Sequence, residues 1–159
     1  MDSWQVCELR ERNGRYHLIA DIKSPEERSL NMARIRSKDT KSEIWLRKKL
    51  FAKGYRYRKN VKNVKGHPDA WFSRYNIALF IHGCFWHRHK GGRYAYMPKS
   101  RIEFWTDKFQ KNVERDQTVR NELEAARIKM LIIWECMIKQ MMRQEQYSDE
   151  VLNQIEDFL

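Results

Sequence analysis

The sequence predicts a mixed α/β domain, one small sheet with helices packed on it. Three observations carry this. Two helix starts with capping signals stand near the front of the chain. Two short apolar runs joined by a four-residue turn occupy the middle, and a helix–strand–helix series closes it. At 159 residues the chain can build one compact domain with a hydrophobic core plus modest extensions.

The elements follow in order. Residues 1–23 read as an extension, with a short strand or hairpin around Gly14. Ser24-Pro25-Glu26-Glu27 is a helix start, with Ser as N-cap, Pro at the first helical position and Glu at the third. That helix should run to about Ile35. Thr40-Lys41-Ser42-Glu43 repeats the capping pattern and opens a second helix ending near Gly54, with Trp45, Leu46, Leu50 and Phe51 able to face a core. Tyr55-Arg56-Tyr57-Arg58 alternates with period two and suggests a strand. Lys65-Gly66-His67-Pro68 is a turn. Asp69-Ala70-Trp71-Phe72 and Ile77-Ala78-Leu79-Phe80-Ile81, joined by Ser73-Arg74-Tyr75-Asn76, read as a β-hairpin. Residues 102–129 are expected to be helical, in one or two pieces. Met130-Leu131-Ile132-Ile133-Trp134 has the length and composition of a buried strand. A last helix, with Ser148 as N-cap, should bury Val151, Leu152, Ile155 and Phe158. The expected organisation is therefore an extension over 1–23, a main domain over 24–142, and a C-terminal helix in 143–159 packed on that domain.

Charge narrows the partner. Lys and Arg number 32 against 21 Asp and Glu, a formal +11. Both ends are balanced or acidic, so residues 24–142 hold 27 basic and 12 acidic side chains. A domain this basic points to a polyanion, nucleic acid first. No run of 18 apolar residues exists to span a membrane, and the N-terminus lacks the basic and apolar regions of a secretory signal. Three cysteines (Cys7, Cys84, Cys136) cannot close a disulfide framework, which suits a reducing cytoplasm.

Chemistry concentrates in Phe80-Ile81-His82-Gly83-Cys84-Phe85-Trp86-His87-Arg88-His89. Histidine supplies general bases and metal ligands at neutral pH. Cys84 and His89 suit a soft metal such as zinc. Phe85 and Trp86 are costly loop residues unless buried or stacked on a flat partner. Pro68-Asp69 places a carboxylate at a strand start, opposite the end of the paired strand. There it could hold a hard cation such as Mg²⁺ beside His82 and His87. Alone, Pro-Asp is weak, because turns use it for conformational reasons.

The series of motifs is specific. Asn31-Met32 with Ile35, Lys38-Asp39-Thr40 with Glu43, Gly66-His67-Pro68-Asp69, and His82-Gly83-Cys84-Phe85-Trp86-His87 come in order. Glu103-Phe104-Trp105, Lys111-Asn112-Val113-Glu114-Arg115-Asp116 and Trp134-Glu135-Cys136 follow. From about residue 25 to 140 this series resembles the very-short-patch-repair DNA mismatch endonucleases. The resemblance implies a restriction-endonuclease-like fold, a central mixed β-sheet flanked by helices. It also implies an enzyme that nicks one strand 5′ to the thymine of a T·G mismatch with Mg²⁺.

Carried over residue by residue, the resemblance makes Asp69 a Mg²⁺ ligand together with the main-chain carbonyl of Ile81. His87 would activate or position the attacking water, His82 would support it at the scissile phosphate, and Asp116 would orient His87. Glu43 matches a further site residue, although a capping-box role with Thr40 explains it as well. His82 as a satisfied strand-end histidine and Asp116 as a surface acid are the plain alternatives. Phe85, Trp86 and Trp105 are similar to rings that the family wedges beside the mismatch; for Trp105, core packing suits the spacing equally. Met32, Arg34, Arg36, Lys38 and Arg88 would meet DNA.

One departure stands out. The family's zinc takes one histidine and three cysteines, of which Cys84, His89 and Cys136 match three positions. The fourth falls in Lys90-Gly91-Gly92-Arg93, with Gly92 at the cysteine's place. Water or Cys7 could complete the set, or the trio could hold no metal. The expected partner is double-stranded DNA with a T·G mismatch, with a mismatch-repair protein as a candidate helper, and the enzyme is expected to be a monomer acting in the bacterial cytoplasm. The alternatives are a relative that binds DNA structure without cutting it, and a nuclease of the same fold with another DNA target, such as foreign DNA.

Overall fold

A computed structural model describes residues 24–34, 38–59, 61–90, 92 and 94–159. The expectations for residues 1–23 and for Arg36 fall outside the described residues. The chain divides into two units, residues 1–35 and 36–159, each described by itself.

In the first unit, α1 spans Pro25–Arg34. Its start is a reciprocal cap: the Ser24 N–H donates to Glu27 Oε2 (3.0 Å), and the Glu27 N–H donates to Ser24 Oγ (3.1 Å). Leu30 and Met32 are exposed on it.

The second unit runs α2 (Lys41–Ala52), β1 (Ala70–Phe72), β2 (Ile77–His82), α3 (Ile102–Ala125), β3 (Lys129–Trp134), α4 (Glu135–Met141) and α5 (Glu145–Phe158). The sheet order is β1-β2-β3, with β1 antiparallel and β3 parallel to β2. This is the mixed sheet flanked by helices that the sequence predicts. β2 is the middle strand and is buried on both faces, which is why it reads as an unbroken apolar run.

Period-two alternation along β2 sorts its side chains between two cores. Ile77 and Leu79 join Ala70, Phe72 and Ile133 beneath Leu46 and Leu50 of α2, Ile138 and Met141 of α4, and Val151, Leu152 and Ile155 of α5. Ala78 and Phe80 point the other way, to Val64 and to Leu123 of α3. The same parity assigns Ile81 to the first core and His82 to the α3 side.

Several expectations change. Tyr55–Arg58 is extended but makes only a single bridge, Arg58 with Trp71. Its alternation is real, since Tyr55 and Tyr57 pack edge-on against Phe72 (6.5 and 5.9 Å), but no ladder follows. α3 is one uninterrupted helix, in a stretch free of Gly and Pro and laced by (i, i+4) pairs such as Asp107–Lys111 and Gln110–Glu114. It ends four residues earlier than expected, where Arg127 turns left-handed (φ 55). α4 has seven residues, too few to show a helical period in sequence. Phe51 and Phe158, expected in the core, are exposed, and Phe51 instead lies under the Arg56 guanidinium.

Ser148 is not an N-cap. α5 starts a turn earlier, at Glu145 after Gln144, because its apolar face begins at Tyr147. Ser148 shares that face with Val151 and Leu152 and is buried, its Oγ without a hydrogen-bond partner. An orphan buried hydroxyl costs stability. Ser148→Ala is expected to leave the fold intact and raise stability by about 1 kcal/mol, measured as a higher urea midpoint at unchanged slope.

Candidate active site

The site is assembled at the end of β2. Ala70 pairs with Leu79, so Asp69, the residue before β1, falls opposite Phe80, one place from Ile81. There Asp69 Oδ2 accepts the Ile81 N–H at 2.7 Å. Beyond His82 the chain turns sharply, with the His87 N–H donating to the Gly83 carbonyl and the His89 N–H to the Cys84 carbonyl (both 3.1 Å). This turn folds His87 back over His82, their rings stacked at 3.8 Å. α3 then fixes the turn from two successive helical turns. Asn112 Nδ2 donates to the Trp86 carbonyl (3.0 Å), and His87 Nδ1 donates to Asp116 Oδ2 (2.5 Å). That direction follows from ionised Asp116, which can only accept.

These groups line a cleft of about 320 Å³, with Asp69, Ile81, His82, His87, Arg115 and Asp116 on its walls. The Gly66–His67 turn closes one side. Gly66 has φ +77, and a Cβ there would come within 2.5 Å of Val119 on α3. A wider depression of about 520 Å³, beside Arg127, Lys129 and Phe158, lies at the opposite end of β3 and holds none of these groups.

Burial sets the charges. It pushes the Asp69 carboxyl up to about 6, with nearby Glu43 adding to the rise and the Ile81 N–H, Arg47 and His87 opposing it. Burial and the charge of His87 lower His82 to about 4, so it is neutral at pH 7. Burial works against ionised Asp116 too. There the His87 hydrogen bond and the charges of His87 and Arg115 prevail, holding its carboxyl below the usual range.

Glu43 and Asp69 are tied together by a residue the sequence reading did not single out. Arg47 is buried, pairs with Asp39, lies 3.8 Å from Glu43 Oε2 and donates to the Asp69 carbonyl (3.4 Å). Asn112 was missed as well. A helical spacing of four from Asp116 was the available signal for Asn112; for Arg47 it was the same spacing from Glu43. Glu43 also keeps its capping role, its N–H donating to Thr40 Oγ1 and its Oε1 accepting from that hydroxyl.

A hard divalent cation fits the Asp69 end of the cleft. An oxygen ligand whose ionised form is disfavoured by burial gains from such a charge. Cys84, His89 and Cys136 form a second cluster. His89 Nδ1 lies 3.6 Å from Cys84 Sγ and 3.4 Å from Cys136 Sγ, and its ring stacks on Trp134 at 4.0 Å. Tetrahedral zinc bonds to S and N require edges of about 3.5 Å, so the trio fits three vertices. A Cβ on Gly92 would meet His89 Nδ1 at 2.8 Å, so position 92 does face the cluster, without a ligand. Burial, with the Cys84 thiol beside it, pushes Cys136 up to about 11, so a metal would have to displace its proton.

The aromatic residues form one cluster. Phe85 touches Trp86, Trp105 and buried Phe109 at 5.0–5.3 Å between centroids. Arg88 lies over Phe109 (4.6 Å) and donates to the Tyr96 carbonyl, so its guanidinium braces this loop. Lys38 is exposed, and on α1 so are Met32 and Arg34.

Known proteins resemble the chain over most of its length. Residues 20–93 match the family model described as DNA mismatch endonuclease Vsr. The type II nicking enzyme V.NmeAIP of Neisseria meningitidis is 45% identical over 76% of this chain and 86% of its own length. The type II nicking enzyme V.XorIIP of Xanthomonas oryzae is 40% identical over 74% and 86%. The DNA mismatch endonuclease Vsr of Escherichia coli is 35% identical over 86% and 85%. Fold, cleft and relatives define the class: a DNA endonuclease with a restriction-endonuclease-like fold. Within that class, the chain belongs to the Vsr family. No helix among the described residues is long and apolar enough to cross a membrane.

Asp69 provides a test of the electrostatics. Its raised pKa penalises the carboxylate, fully above pH about 6 and not at all below the ordinary 3.8. Asp69→Asn should therefore stabilise the metal-free protein at pH 8, by up to about 3 kcal/mol for a shift of about two units. The gain should fade between pH 6 and 3.8, as read from denaturant midpoints with EDTA present.

Proposed function

We propose that this chain is a Mg²⁺-dependent repair endonuclease that nicks one strand of duplex DNA 5′ to the thymine of a T·G mismatch. The observation that carries the reading is the His87–Asp116 pair beside Asp69 in one cleft, next to the aromatic cluster. The name of the E. coli relative supports the mismatch, and those of the nicking enzymes support cutting one strand. The substrate meets the protein in the cytoplasm, on the nucleoid, and a mismatch-repair protein is a partner to look for.

Asp69, with the Ile81 carbonyl, would hold the ion, and Glu43 adds negative charge nearby. Bound Mg²⁺ supplies polarisation of the scissile phosphate. Asp116 accepts from His87 Nδ1, which fixes the tautomer and leaves Nε2 to take the proton of the attacking water. Asp116 then stabilises the imidazolium. Neutral His82 can donate to a phosphate oxygen without setting a second full charge against His87. Phe85, Trp86 and Trp105 stack at the mispair, where unstacking is cheapest. Met32, Arg34, Arg36, Lys38 and Arg88 contact the duplex.

Zinc, in this reading, would be held by Cys84, His89 and Cys136 and would brace the loop that carries His87. One zinc per chain is expected by elemental analysis, and none in Cys136→Ser. Zinc-free wild-type protein would reduce the trio to thiol–imidazole contacts. The incomplete clasp is also what favours the rival, a relative that binds DNA without cutting.

A labelled T·G duplex separates the two. Nicking should require Mg²⁺, stop with EDTA, and fall by about 10²–10⁴-fold in His87→Ala, the range for a lost general base. Asp69→Ala should be at least as severe. Failure to nick any mismatch in Mg²⁺ would rule out the enzyme reading. Binding should weaken steeply with salt, with a log–log slope of about 0.9 per neutralised phosphate.

A further inference from the structure

The rings assigned to the DNA wedge are not the outermost rings of their cluster. Phe85, Trp86 and Trp105 are half-buried around buried Phe109. Two others close the cluster on its solvent side: Tyr96 is 63% exposed and Phe104 46% exposed. Tyr96 packs on Phe85 and Phe104 on Trp105, each at 5.3 Å. They thus stand at the two ends of the Phe85–Trp105 contact. Both reach solvent while still in contact with the inner rings.

Both are placed by cations. The Arg101 guanidinium lies 4.5 Å over the Phe104 ring, and Arg88 donates to the Tyr96 carbonyl (3.1 Å). Arg101 is held in the left-handed conformation (φ 55) at the start of α3. Residues 88–108 carry six basic and two acidic side chains, so the segment that bears both rings is strongly basic. Exposed aromatics framed by arginines match single bases presented beside phosphates: the ring faces stack, and the cations meet the backbone. Phe51 makes the contrast. It is equally exposed and lies under Arg56, yet it joins no aromatic cluster and is on α2.

We propose that Tyr96 and Phe104 are base-contacting residues, the rim of the aromatic cluster, and stack on nucleobases at an opened step of duplex DNA. The assignment rests on the DNA-cutting reading above and extends it to two residues to which the resemblance gives no role. Stacking on these rings would make them determinants of mismatch selectivity as well as of affinity.

The test is equilibrium binding by full-length protein with Ca²⁺ in place of Mg²⁺. The probes are a matched and a T·G duplex, each with 2-aminopurine beside the central pair. Tyr96→Ala and Phe104→Ala are expected to weaken T·G binding by about 5- to 150-fold each, the range for one lost base–aromatic stack. Both should reduce the 2-aminopurine fluorescence rise, while Tyr96→Phe and Phe104→Tyr behave as wild type. Should Phe104→Ala unfold, Phe104→Leu keeps apolar bulk without a stacking face and gives the same reading. T·G affinity and fluorescence unchanged in the alanine variants would overturn the proposal. Wild-type protein that binds both duplexes alike would sink the mismatch reading alone. The rim is then read on the matched duplex, where weaker binding in the alanine variants supports it and unchanged binding overturns it.

Discussion

Everything in the site depends on β2 being the middle strand of the sheet. Pairing on both edges fixes its register, antiparallel to β1 and parallel to β3. Register fixes parity, because a slip of one residue would turn every side chain to the other face. With Ile77 and Leu79 committed to one core and Ala78 and Phe80 to the other, Ile81 and His82 have no freedom of side. His82 must face α3, where His87 and Asp116 lie, and the Ile81 backbone must meet Asp69. Apolar packing at residues 77–80 thereby positions polar groups at 81 and 82.

Around that frame the protein carries unfavourable electrostatics. Asp69 is partly buried with Glu43 near it, and its negative form is disfavoured. His82 is buried beside His87 and kept neutral. A disfavoured carboxylate and an imidazole kept neutral by burial weaken the fold before any ligand arrives, which is the common cost of a site prepared for charge. Arg47 offsets part of it, as a buried cation that joins α2 to the backbone at Asp69. The Asp116 carboxylate does the same for His87 from α3. Arg47, His87 and Asp116 therefore come from different elements, and the two cores hold these in place.

Much of this was legible beforehand. Ser24 and Thr40 cap their helices as their side chains require, and the Ser73–Asn76 turn joins the strands it was expected to join. The loop from His82 to His89 was visible as chemistry because its residue types have few other reasons to occur together. Other features were hidden. Ser148 has the chemistry of a cap, but burying Tyr147, Val151 and Leu152 on one face outweighed it and started α5 a turn earlier. Tyr55–Arg58 alternates like a strand, yet a ladder needs a partner of matching length, and β1 has only three residues. Arg47 looked like one more basic residue in a basic chain.

By itself, then, the sequence determined the element order, the basic character and the residues able to do phosphoryl chemistry, because capping, periodicity and side-chain type are local properties. Only the tertiary structure decided which of them meet. Asp116 lies 29 residues from His87 and Arg47 lies 22 from Asp69, and nothing in local spacing brings either pair together. The same holds for exposure in the aromatic cluster. Phe104 and Trp105 are neighbours in sequence, but the packing of α3 on Phe85 leaves one ring outward and draws the other in.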